Sequence, residues 1–185
     1  MKSVQPIRDK KIIEDMKVYL KSKNERDYVL FMIGINTGLR IGDILTLKVG
    51  DVKEEEIELV ETKTKKLKTV PINTSLRRAL KPYIKGKSDD EYLILSRQKD
   101  NKGVRKHINR STAYRIIKDA ARKCGFKKNC GTHTMRKTFG YMHYKKHGNI
   151  AALQKIFNHD KELTTYIYIG LEKDYLDSTI MDLNL

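Results

Sequence analysis

Apolar residues between Pro6 and Leu20 recur at Ile12, Ile13, Met16, Tyr19 and Leu20, with Lys and Asp on the other face, and this spacing predicts a helix. Tyr28 to Ile35 is nearly all apolar and predicts a buried helix that stops at Gly38. A short helix is predicted over Ile41 to Leu47. The period then changes. Glu56 to Glu61 and Leu67 to Ile72 are β-prone runs joined by lysines, which predicts a hairpin. Asn73-Thr74-Ser75 offers an N-cap for a helix through Ile84. Tyr92 to Leu95 predicts a short strand or extended link, and the polar, basic stretch Arg97 to Arg110 predicts a loop. Ser111 to Cys124, with Tyr114, Ile117 and Ala121 along one side, predicts a helix. Further helices are predicted over Thr132 to His147 (capped by Thr132 or His133), over Ile150 to Phe157 (capped by Asn149), and over Lys161 to Ile169. The pattern implies one α+β domain, mostly α-helical with a small antiparallel β-sheet.

Charge narrows the class of partner. The 185 residues carry 39 Lys+Arg against 23 Asp+Glu, a net charge of +16. Such an excess favours a polyanion, because phosphates neutralised by Lys or Arg release condensed counterions. Leu171 to Leu185 holds four acids (Glu172, Asp174, Asp177, Asp182) and one Lys173, a net charge of −3, which leaves +19 on residues 1–170. An acidic tail with Tyr175, Leu176, Ile180, Met181 and Leu183 at helical spacing suits packing on protein, either its own chain or a neighbour. Two cysteines, Cys124 and Cys130, make no disulfide framework in a chain this size. No apolar run is long enough to span a bilayer, so the chain reads as a cytoplasmic protein with no membrane partner.

Four segments carry candidate chemistry. His133-Thr134-Met135-Arg136 sets an imidazole and a guanidinium on one face near a helix N-terminus, where free amides and the macrodipole attract phosphate. Arg40 follows the stop at Gly38 and could fork onto a phosphate, with Asp43 three residues on as an orienting partner. Glu61-Thr62-Lys63-Thr64-Lys65-Lys66-Leu67-Lys68 puts lysines on a hairpin turn. Tyr166 and Tyr168 follow His159, and a Tyr hydroxyl can attack phosphorus. Two residues apart on a helix, only one of them can enter a given site. Taken singly, each segment also fits a solvated pair, a charged face or a structural tyrosine. A metal fits poorly: His143 and His147 share a helix face, but Cys124, Cys130 and His133 have no zinc spacing.

In order and spacing together, these segments resemble the tyrosine recombinase, or phage integrase, family. The strings TGLRIGDILTLKVGDV, TKTKKLKTVPI, THTMRKTFG, LQKIFNH and TTYIYIG carry the resemblance, from about Phe31 to Gly170. It implies the catalytic-domain fold of that family and strand exchange through a 3′-phosphotyrosyl link, with no metal and no cofactor. It also implies double-stranded DNA as partner, self-association on DNA as dimer or tetramer, and a bacterial or phage origin. Residue by residue, it implies that Arg40 and Arg136 bind the non-bridging oxygens and that His133 assists proton transfer. It implies that His159 hydrogen-bonds the phosphate and that Tyr168 is the nucleophile. Counting back from Val70-Pro71-Ile72 favours Lys63 as the acid for the leaving oxygen, with Lys65 and Lys66 also within reach.

The family usually carries a further N-terminal DNA-clamping domain. The chain begins about thirty residues before Arg40, so residues 1–170 are expected to be the catalytic domain alone and 171–185 a tail that either docks on a neighbouring subunit or folds back on its own chain. Expected DNA contacts are Lys65, Lys66, Arg97, Lys99, Lys102, Arg105, Lys106, Arg110 and Arg115. Two alternatives stand beside recombination: nick-and-reseal relaxation like that of type IB topoisomerases, and a non-catalytic DNA-binding accessory protein.

Overall fold

The computed structural model describes residues 3–63, 65–99 and 101–183. Helix α1 (Lys10–Lys23) starts where the Asp9 side chain accepts the Lys11 amide. Helix α2 (Glu25–Thr37) is capped by Asn24 and buries Val29 through Gly34 without a break. A helix apolar all round must be covered on all sides. Accordingly α2 packs against α1, against α4 (Thr74–Ile84) and against α6 (Thr132–His147). It ends at Gly38 in the left-handed region, φ 63°. The chain then swings through Arg40 into α3 (Ile41–Thr46).

A β-carbon built on Gly38 would stand 2.5 Å from Phe139 Cδ1 and 3.0 Å from Phe157 Cε1. Left-handed backbone and overpacking act together there, so Gly38→Ala is expected to cost about 2–3 kcal/mol. Thermal melts check this, at roughly 2–4 °C per kcal/mol for a chain of this size.

Strands β1 (Glu56–Val60) and β2 (Leu67–Pro71) form the expected hairpin in the register Ile57↔Val70, which turns both of these inward. Asn73 caps α4 as anticipated, accepting the Leu76 amide. The basic stretch departs from expectation. Tyr92 makes only an isolated bridge to Lys48, and a second hairpin follows from β3 (Leu95–Lys99) and β4 (Arg105–His107). The loop expected over Arg97 to Arg110 is therefore largely this hairpin. Its residues are mostly exposed, so no apolar alternation marks it.

Helix α5 (Arg110–Lys123) is capped by Asn109 and packs on α1 and α6. The cap of α6 is Gly131, one residue before the expected Thr132 or His133; the Thr134 hydroxyl accepts the Gly131 amide. Helix α7 (Ile150–Phe157) leads through Asn158, φ 52°, to α8 (Glu162–Tyr168). Gly140 in α6 lets these elements come close: a β-carbon there would stand 2.6 Å from Ile169 Cγ2 and 2.8 Å from Phe157 Cε2.

The acidic tail forms α9 (Leu171–Met181). Its first turn folds back on the chain, where Arg8 bonds Asp174 at 2.8 Å and the Gly170 carbonyl at 3.2 Å. Tyr175, Leu176, Ile180, Met181 and Leu183 remain exposed. Among the described residues no helix is long and apolar enough to cross a membrane.

Candidate active site

Arg40 caps α3 with extended backbone and reaches toward the hairpin. Its Nη1 donates to Glu61 Oε1 at 2.7 Å, and its Nη2 lies 3.5 Å from the Phe157 carbonyl. The partner expected for it was Asp43. Instead Asp43 Oδ1 accepts the Thr62 amide at 2.8 Å. Asp43 sits in the first turn of α3, buried beneath the hairpin turn, and so holds that turn rather than the arginine.

Arg136 lies one helical turn into α6 and is only 3% exposed. It donates to the Gly38 carbonyl and, at 2.9 Å, to the Phe157 carbonyl, with its guanidinium 4.2 Å from the Phe157 ring centre. Burial, with Arg40 alongside, pushes it down to about 10, so it stays charged at neutral pH. Five donors and two carbonyl partners leave N–H groups to meet an anion.

Tyr168 closes the site from α8. Its ring stands edge-on to Phe157 at 5.7 Å and to His159 at 5.3 Å, with Lys137 Nζ 4.9 Å over its face. Its hydroxyl lies 3.3 Å from His133 Nδ1. Burial raises the hydroxyl above the ordinary tyrosine value, while Arg136 and Arg40 pull it back. It therefore needs a base. His133 is held below the ordinary histidine value by loss of water and by Arg136, Lys137 and Arg40, so its ring is neutral and can accept a proton. Tyr166 packs at the edge of the cluster formed by Tyr141, Leu153, Phe157, Ile169 and Leu171.

His159 Nδ1 is 3.0 Å from the Thr165 hydroxyl. With that hydroxyl as donor, the ring proton sits on Nε2 and makes it a hydrogen-bond donor. Burial, then Arg136 and Arg40, lower His159 to about 4. A folded value below the unfolded one of about 6.5 means the unfolded chain takes up the proton first. Stability is then full above pH 6.5 and falls toward pH 4. The expected result is a steeper loss of melting temperature between pH 6.5 and 4.5 in the wild type than in His159→Gln. Parallel slopes would remove His159 as the cause.

The hairpin lysines separate. Lys63 is exposed on the turn and lines a cleft of about 330 Å³ with Arg40, Asp43, Arg110 and His133. Lys65, φ 57°, and Lys66 are exposed farther along the turn. Lys68, absent from the candidates read from sequence, lies beneath: its Nζ donates to the Ile156 carbonyl at 2.5 Å and sits 3.5 Å from Glu61. Burial lowers Lys68, and Glu61 opposes that shift.

Arg110 belongs with the cleft rather than with a loop, because it opens α5. Arg97, Lys99, Arg105 and Lys106 stand exposed on the second hairpin, Lys102 on its turn and Arg115 on α5. Among the described residues no group of three or more His, Cys, Asp and Glu is placed to hold a metal ion.

The family model described as "Phage integrase family" matches residues 7–174. A probable integrase/recombinase, YoeC of Bacillus subtilis (strain 168), is 45% identical over 175 residues, covering 94% of this chain and 93% of its own. A tyrosine recombinase of Pseudothermotoga lettingae is 32% identical over 151 residues, 80% of this chain but 50% of its own length. A solved XerA recombinase superposes with a TM-score of 0.73 at 26% identity, over 100% of this chain and 66% of that one. The chain thus spans nearly all of one relative, half of another and two thirds of the solved structure.

Proposed function

The chain belongs to the phage integrase family, and from that membership we infer that it is a tyrosine-type site-specific recombinase acting on double-stranded DNA. The observation that carries this reading is the convergence of Arg136, His133 and His159 around the Tyr168 side chain, with Arg40 sharing the Phe157 carbonyl. Attack on a phosphodiester gathers negative charge on the equatorial oxygens, and two fixed guanidiniums neutralise it with no metal. Tyr168 Oη forms the new bond to phosphorus, and His133 takes its proton. The 5′ oxygen leaves and gains a proton from Lys63, the hairpin lysine that lines one cleft with Arg40 and His133. The resulting 3′-phosphotyrosyl ester is also a phosphodiester, so rejoining needs no ATP.

The exposed lysines and arginines of the second hairpin and of α5 give the DNA backbone a counter-surface. The apolar stripe of α9 docks on a neighbouring copy, which makes a dimer or tetramer on DNA the working assembly.

A nicked DNA substrate, whose cleaved flank diffuses away, tests the reading. Wild type is expected to give a denaturation-resistant protein–DNA band, with the modified peptide containing Tyr168. DNA binding without adduct on any cognate site would favour the accessory-protein reading. Adduct on arbitrary sequence, with relaxation and no exchange, would favour nick-and-reseal chemistry.

Lys63→Ala is expected to slow cleavage about 100-fold, the scale of one general acid. A 5′-bridging sulfur, which leaves without a proton, should restore the rate. No rescue would move the role to Lys65 or Lys66.

A further inference from the structure

The buried acid at the clamp has no place in the mechanism above. Glu61 is 2% exposed, yet its Oε1 takes Arg40 Nη1 at 2.7 Å and stands 3.5 Å from Lys68 Nζ. A carboxylate set among the cations that receive a phosphate weakens their pull on any anion, and burying it is costly unless both of its partners hold. The same residue closes the lysine turn through its backbone. Its amide donates to the Lys66 carbonyl and its carbonyl accepts the Lys65 amide, both at 2.9 Å. Side chain and main chain of one residue therefore tie the arginine to the turn carrying Lys63.

Lys68 extends the tie. It bonds the Ile156 carbonyl at the end of α7, and the next carbonyl, Phe157, receives Arg136 and lies near Arg40. Hairpin, α2–α3 turn and α7 terminus are thereby joined through four charged side chains.

We propose that Glu61 is a positioning residue which, with Lys68, fixes the distance between Arg40 and the Lys63 turn so that clamp and proton donor meet the same phosphate. The inference rests on the recombinase reading for the identity of that phosphate. Gln at this position keeps the shape and one acceptor but loses the charge that holds both cations.

The test is single-turnover cleavage of the nicked substrate at saturating DNA, well below the melting temperature of each variant. Glu61→Gln is expected to slow cleavage roughly 10- to 100-fold, the penalty for an ångström-scale misplacement, with DNA affinity unchanged within about threefold. In an Arg40→Ala background the same change should slow cleavage by less than about threefold, because the group being positioned is gone. Full multiplication of the two effects, or an unchanged rate in Glu61→Gln, overturns the proposal. Should Glu61→Gln fail to fold, Glu61→Gln with Lys68→Met removes both buried charges and carries the same expectation. A second readout does not need catalysis. The Arg40 Nη1–H signal in a ¹⁵N spectrum should be dispersed and slow to exchange in wild type and should collapse in Glu61→Gln. A wild type that shows this signal and its collapse but forms no adduct refutes the recombinase reading and leaves the positioning intact. A signal that survives in Glu61→Gln refutes the positioning.

Discussion

Tyr168→Phe is expected to fold and bind DNA like the wild type while forming no covalent adduct. The change deletes one oxygen. The ring keeps its edge contacts with Phe157 and His159 and its place beneath Lys137, so the shape of the site survives. What disappears is the atom 3.3 Å from His133, the proposed nucleophile. Stability should change by no more than about 1 kcal/mol, because a hydroxyl is lost together with its desolvation. Denaturing gels after incubation with nicked DNA read the adduct, and a binding isotherm reads the affinity. Tyr166→Phe serves as the control and should retain adduct, since it is the Tyr168 hydroxyl that meets His133. Adduct in Tyr168→Phe but not in Tyr166→Phe would reverse the assignment of the two tyrosines.

Arg136→Ala is expected to lower cleavage about 10²- to 10³-fold at saturating DNA, the cost of one preorganised charge at a developing anion. Two losses coincide: a guanidinium of the proposed phosphate clamp, and the bridge between the Gly38 and Phe157 carbonyls. The second also bears on folding, because two buried acceptors lose their donor at about 1–3 kcal/mol each. Arg136→Lys separates these effects. A point charge cannot span both carbonyls, so it should recover part of the affinity for DNA and little of the rate. An Arg136→Lys variant with near-wild-type cleavage would show that charge alone suffices and that the bridge is incidental.

Much of the molecule could be read from its sequence, for identifiable reasons. The helices announced themselves through caps such as Asn73 and Asn149 and through the stop at Gly38, all local devices whose chemistry lies within a few residues. Arg40, His133, Arg136, His159 and Tyr168 were legible only as an ordered set; the structure draws them together from the α2–α3 turn, α6 and the α7–α8 region. Two of the misses share one cause. Partner choice across long sequence distance has no local signature: Arg40 finds Glu61 twenty-one residues away rather than Asp43 three residues away, and Lys68 reaches Ile156. A single acid opening a lysine run was the available sign that the hairpin holds something buried. The second hairpin lacked even that, since a ribbon wet on both faces shows no alternation.

Gly140 has an evolutionary reading. The approach of α6 to Phe157 and Ile169 depends on a missing methyl group, and Ile169 directly follows the tyrosine. Precision built from an absence has no bond to defend it. A lineage that gains a side chain at position 140 must shed volume at 169 or 157 in compensation, or let Tyr168 drift. Those three positions should therefore change in concert among descendants of this sequence, with the pairing of a larger residue 140 and a smaller residue 169 as its genetic trace.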